Sequence, residues 1–154
     1  MAGRILALDF GMRRIGVAVS DGLGLTAQGL RTLERIRMAD DLRRIQALTE
    51  EYEVERVIVG NPISSKGGET AMSRRVAAFV EKLHRWLPCP VELWDERLTS
   101  VQANRMLRES GMGIEKRRRA VDRVAATLLL EGYLEYWAQR ARNGAEGIPQ
   151  GQDR

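Results

Sequence analysis

Two apolar runs, Arg4–Phe10 (RILALDF) and Arg14–Ser20 (RIGVAVS), stand on either side of a turn at Gly11–Arg13. A connection that short joins antiparallel strands only, so the chain must open on a hairpin and not on a βαβ unit. Both faces of the first run are apolar, which predicts a strand central in its sheet. Inside that strand stands Asp9. A buried, unpartnered carboxylate costs several kcal/mol (roughly, from the burial penalty for charge) or takes up a proton. Asp9 therefore calls for a cation, a metal or backbone donors; a cap on the turn at Gly11, aided by Arg13 or Arg14, would also satisfy it.

Asp21, Gly22 and Gly24 form the next turn, and Leu25–Leu33 is expected to supply a third strand, completing a β-meander. The period then changes. Leu42, Ile45, Leu48 and Tyr52 fall on one face of a helix over Ala39–Tyr52. A short buried strand, Arg56–Val59, ends at Gly60-Asn61-Pro62, and a polar loop over Ile63–Glu69 follows. Thr70–Leu87 reads as a helix with Val76, Phe79, Val80, Leu83 and Leu87 inward, and Val91–Trp94 (VELW) as the fifth strand. Ser100 is expected to cap a helix reaching about Ser110, stopped by Gly111 and Gly113. Ile114–Arg119 reads as a basic approach to a largely buried last helix, Ala120–Arg140. Residues 141–154 are polar and are expected to be a disordered tail.

This order, an antiparallel meander and then alternating helices and strands, gives a five-stranded mixed sheet flanked by helices. It is the element order of a ribonuclease H-like α/β fold, and several other α/β arrangements share it. The chain of 154 residues is expected to form one domain over 1–140. No apolar run approaches the roughly 20 residues needed to span a bilayer. The first residues mix apolar side chains with Arg4, Asp9, Arg13 and Arg14, unlike a signal peptide, so a cytoplasmic location is expected.

Composition narrows the chemistry. Cys89 and His84 are the only cysteine and histidine, which excludes thiolate zinc clusters and sites needing two imidazoles. His84 itself reads as a surface or partly buried structural residue. Any catalysis must then run on carboxylates, hydroxyls or cations. Net charge is +4, and of the 25 Lys and Arg residues only Lys66, Lys82 and Lys116 are lysines. Arginine suits bidentate phosphate contacts, although an arginine-rich solvated surface would look the same in sequence.

Two further carboxylate positions stand out. Asp95 and Glu96 close the strand VELW, and strand ends are where α/β sheets hold ligands. Neighbours on a strand face opposite ways, so only one of the pair can share a site with Asp9. Asp122 lies on the apolar last helix, one turn before Ala125 and Ala126, whose small side chains leave room for close approach. Each acid has an ordinary alternative in a salt bridge, to Arg97 or to Arg118, Arg119 and Arg123. Taken together, acids in a strand, at a strand end and on a buried helix can converge, and an all-oxygen site suits Mg²⁺ or Mn²⁺.

Four segments carry a family resemblance: LALDFGMRRIGVAVSD (Leu6–Asp21), IVGNP with its glycine-containing loop (Ile58–Gly68), DERLTS (Asp95–Ser100) and VDRVAATLLLEGYL (Val121–Leu134). In order and spacing they resemble the YqgF or RuvX-like family of Holliday-junction-resolvase-like nucleases. The resemblance implies Mg²⁺-dependent phosphodiester hydrolysis and a role in maturing the 5′ end of pre-16S ribosomal RNA. It implies a catalytic, metal-holding set of Asp9, Glu96 and Asp122, with Glu96 preferred to Asp95 because it ends the strand. One position departs from the pattern: Asn61 stands where the family usually has leucine, which suggests a retuned substrate loop. Arg13, Arg14, Lys66, Arg97, Lys116, Arg117, Arg118 and Arg119 are the candidates for binding the nucleic-acid backbone. The partner would be structured RNA or branched DNA, with a ribosome precursor as a further expected partner, met by a monomer or homodimer. The rival reading is a nucleic-acid or ribosome-associated binding protein without nuclease activity. A third, an actin-like phosphotransferase suggested by the Asp9-Phe10-Gly11 turn, suffers from the single short domain and the lack of a Walker A motif.

Overall fold

A computed structural model describes residues 3–64, 66–95 and 114–147, with the side chains of the last helix described over 123–144. The strands are β1 (Arg4–Phe10), β2 (Arg14–Ser20), β3 (Ala27–Gly29), β4 (Leu33–Glu34), β5 (Val54–Asn61) and β6 (Val91–Asp95). The helices are α1 (Met38–Glu51), α2 (Ala71–Trp86) and α3 (Ile114–Gly147). One sheet runs in the order β3-β2-β1-β5-β6, with β4 also paired to β2. The β1–β2 and β2–β3 pairs are antiparallel, and β1–β5 and β5–β6 are parallel.

The opening hairpin and the central place of β1 follow the apolar pattern. Leu6, Leu8 and Phe10 point to the face covered by α1 and α2, where they join Ile15, Val17, Ile45, Val57, Val59 and Phe79. Ile5 and Ala7 point to the other face, against Ala126, Leu129, Leu130 and Tyr133 of α3. Three layers result, with β1 buried on both sides.

Three expectations need correction. The third strand does not run over Leu25–Leu33: it is two pieces, β3 and β4, both on the edge of β2, so the sheet has six strands. Ile114–Arg119 is not an approach to the last helix but its first turns, and the helix continues to Gly147, past the expected end at Arg140. Residues such as Glu115, Lys116, Arg117, Ala141 and Arg142 have high helix propensity, which favours this extension. Nor is α3 buried around much of its circumference. Ala126, Leu129, Leu130 and Tyr133 are sealed, while Tyr136 and Trp137 are 41% and 36% exposed. The helix expected over Ser100–Ser110 lies outside the described residues, as do residues 148–154.

Candidate active site

Asp9 stands next to last on β1, directly across from Gly16 of β2, and is half-buried. Strand alternation puts it with Ile5 and Ala7 on the α3 face. The turn after it is fixed by backbone geometry. Gly11 N–H donates to the Arg14 carbonyl at 2.9 Å, and a Cβ on Gly11 would come within 2.7 Å of that same oxygen. Only glycine fits this return.

The same turn is braced from outside by residues that sequence reading did not single out. Arg35, just after β4, donates from Nη1 to the Gly11 carbonyl at 3.3 Å, and its guanidinium lies 4.4 Å from the centre of the Phe10 ring. Phe10 stacks in turn on Phe79 at 4.2 Å. Asp41 holds Arg35 in place. Its side chain is fully buried and accepts from Arg35 Nε at 3.1 Å, Arg44 Nη2 at 2.7 Å and Ile36 N–H at 3.1 Å. In sequence Asp41 looks like any acid in the first turn of a helix, as Asp40 beside it is. Nothing local marks it.

The order of strand ends brings segments distant in sequence to one end of the sheet. β1, β5 and β6 are parallel, so Phe10, Asn61 and Asp95 finish at one end of the sheet. On β6, Val91 packs into the α1–α2 core, whereas Glu92 accepts a hydrogen bond from Tyr133 and Trp94 meets the Tyr133 ring edge-on. Alternation therefore turns Asp95 away from the α3 face on which Asp9 lies. Glu96 and Arg97 lie outside the described residues.

Helix α3 runs against the direction of β1. Its C-terminal part, at Glu135, Ala138 and Arg142, lines a cleft with Leu25–Ala27, beside the start of β1. Arg123, near its beginning, packs on Gly29 and lines a cleft with Arg31, Thr32 and Glu34. The N-terminal turns of α3, which contain Asp122 and Lys116–Arg119, thus reach the Asp9 end of the sheet. The side chains of those residues are outside the described set.

Of the predicted backbone-binding residues, Arg13 is exposed at the tip of the β1–β2 turn, and Arg14 lies opposite Glu34 in the β2–β4 pairing. Lys66 is exposed in the loop after β5, which Ser64 and Gly68 close with hydrogen bonds of 2.8 and 2.9 Å. Thr70 caps α2 by accepting from Ser73 N–H, and it donates to the Pro62 carbonyl at 2.9 Å, tying that loop to the helix. Exposed His84 and half-buried Cys89 sit at the opposite end of the sheet, where β6 begins. Among the described residues no group of three or more His, Cys, Asp or Glu gathers, and of the three proposed acids only Asp9 has a described side chain. The Asp9 carboxylate is an oxygen donor of the kind a hard divalent cation takes.

Residues 3–136 match the model of a family described as "RuvX: Holliday junction resolvase". The chain is 50% identical over 133 residues to a "Putative pre-16S rRNA nuclease" of Koribacter versatilis, covering 86% of this chain and 87% of the relative. It is 44% identical to a protein of the same name from Halothermothrix orenii, covering 86% and 95%. Among solved structures, it resembles the yeast mitochondrial Holliday junction resolvase Ydc2 (TM-score 0.54, 12% identity, 96% of this chain and 85% of that one). It also resembles the Fowlpox virus resolvase in complex with Holliday junction DNA (TM-score 0.54, 12% identity, 87% and 98%). At such identities the likeness is one of fold, and the fold is ribonuclease H-like. No helix among the described residues is long and apolar enough to cross a membrane.

Proposed function

Because the chain belongs to the RuvX family, we propose that it is a cytoplasmic, divalent-metal-dependent nuclease that matures the 5′ end of pre-16S ribosomal RNA. The catalytic and metal-holding residues in this reading are Asp9, Glu96 and Asp122. The observation that carries it is topological: the end of β1 bearing Asp9, the end of β6 and the first turns of α3 meet at one end of a single sheet. The substrate comes from the names of the relatives.

The carboxylates would hold Mg²⁺ or Mn²⁺, which supplies an activated water and neutralises the leaving oxygen in phosphodiester hydrolysis. Everything else falls to the chain. The Gly11 return and the Arg35 brace fix the backbone turn that follows Asp9, which would help preorganise its carboxylate. Arg13, Arg14 and Arg97 lie beside the acids in sequence and would grip phosphates flanking the scissile bond. Lys66 and Lys116–Arg119 would steer and bind the RNA backbone. The protein would act as a monomer or homodimer.

The test is cleavage of labelled single-stranded RNA, ribosomal RNA precursor and four-way DNA junctions in Mg²⁺, Mn²⁺ or EDTA. Asp9→Asn and Asp122→Asn should each abolish metal-dependent cleavage while the circular dichroism of the fold is kept. Wild-type rates in either folded variant would mean the site is wrong. Tight binding of every substrate with no cleavage would leave a binding protein instead.

A further inference from the structure

Beside the Asp9 end, between the β3–β4 connection and the start of α3, lies a cleft of about 300 Å³ lined, among the described residues, by Arg31, Thr32, Glu34 and Arg123. That volume is at the lower limit of ligand pockets and suits one nucleotide unit. Arg31 and Arg123 are both exposed and, among the described residues, neither guanidinium has a carboxylate partner. Glu34 faces Arg14 across the β2–β4 pairing, so an arginine of its own sheet opposes its charge. The two arginines therefore leave the cleft cationic.

Two further observations mark the cleft as built. Arg123 reaches it only because position 29 is glycine: a Cβ there would lie 2.6 Å from Arg123 Cγ and 2.9 Å from Thr127 Oγ1. The Thr32 hydroxyl oxygen is shielded from solvent and, among the described residues, has no hydrogen-bond partner. A buried, unpaired hydroxyl is costly, and Thr32 lines the cleft, where a bound phosphate oxygen would offer it an acceptor.

We infer that this cleft binds a backbone phosphodiester of the nucleic-acid strand leading to the Asp9 site, with Arg31 and Arg123 as its charged contacts and Thr32 as a hydroxyl donor. The inference rests on the nuclease reading for the identity of the ligand. It differs from that reading in its residues, none of which belongs to the acid set or to the basic run before Asp122.

The probe is a fluorescein-labelled single-stranded RNA, followed by anisotropy across a range of KCl concentrations. The full chain carries Asp9→Asn, so that nothing is cut. Arg31→Gln with Arg123→Gln keeps the aliphatic packing on Gly29 and removes two charges. Affinity should fall at least about tenfold, and the slope of log K against log salt should shrink by about 0.7 for each arginine. The control is Arg85→Gln on exposed Arg85, in the last turn of α2 at the other end of the sheet. It changes net charge and should leave the slope nearly unaltered. Thr32→Val should weaken binding severalfold. An unchanged slope in the double variant, or an equal loss in Arg85→Gln, overturns the cleft. If wild type cleaves RNA while the double variant keeps its affinity, only the cleft is wrong. If the double variant loses affinity but wild type cuts nothing, only the nuclease reading fails.

Discussion

Asp40 and Asp41 are identical in sequence and unlike in everything else. Asp40 is half-buried at the surface, and Arg43 and then Arg37 hold its carboxyl below the usual value. Asp41, with a fully buried side chain, is the hub joining Arg35, Arg44 and the Ile36 N–H, one step from the turn that carries Asp9. Removing one partner of a buried ion pair leaves the other charge uncompensated, which costs about 3 kcal/mol. Asp41→Ala should therefore lower stability by about that amount in urea unfolding, whereas Asp40→Ala should leave the midpoint where it is. Equal effects would show that burial of Asp41 carries no weight. Tyr133 gives a pH signature of its own. Burial first, and then its hydrogen bond to Glu92, push its pKa from 10.0 to about 12. The native state thus holds a proton that the unfolded chain gives up, so its contribution is fully present below pH 10 and is lost as pH rises toward 12. Wild type should lose roughly 2–3 kcal/mol more than Tyr133→Phe across that window. Parallel alkaline limbs for the two proteins would refute this.

At the scale of elements, the loop after β5 and the helix that follows it are one unit. Thr70 accepts from Ser73 N–H, Ser73 Oγ accepts from Thr70 N–H, and Thr70 Oγ1 donates back to Pro62. Thr70→Ala should cost about 1 kcal/mol, the usual worth of an N-cap, and Thr70→Ser should recover most of it. If serine fails to rescue, the loop tie does not run through this hydroxyl. The helices α1 and α2 were legible in sequence because one apolar stripe repeats at helical spacing along each. The hairpin was legible because both its strands are apolar and its turn is short. The division of the third strand into β3 and β4 was not, since pieces of three and two residues carry no period; their pairing is imposed by the free edge of β2. The limits of α3 were hidden for a related reason. Its terminal turns are polar all round, so propensity extends them without leaving an apolar stripe. Asp9 announced itself by standing in an apolar strand, while Asp41 and Arg35 acquire their role only through contacts across the fold.

On the scale of the whole molecule, the sheet has a chemical end and a quiet end. His84 and Cys89 lie away from the strand termini that follow Asp9, at the end where β6 begins. If Asp9, Glu96 and Asp122 gather as proposed, their negative charges oppose one another in the folded state and nothing comparable holds in the unfolded chain. A divalent cation that binds the native set should then stabilise the whole molecule by linkage, by about 1.4 kcal/mol at ten times its Kd. Mg²⁺ should raise the melting temperature of wild type, and EDTA should reverse the rise without any substrate present. Asp9→Asn relieves part of the repulsion and removes a ligand, so it should melt no lower than wild type in EDTA and gain little from Mg²⁺. This pairing of a neutral or raised baseline with a lost metal response is what a shared carboxylate site requires. A structural salt bridge at Asp9 would give the reverse: a lower melting temperature in EDTA and an unchanged response to Mg²⁺.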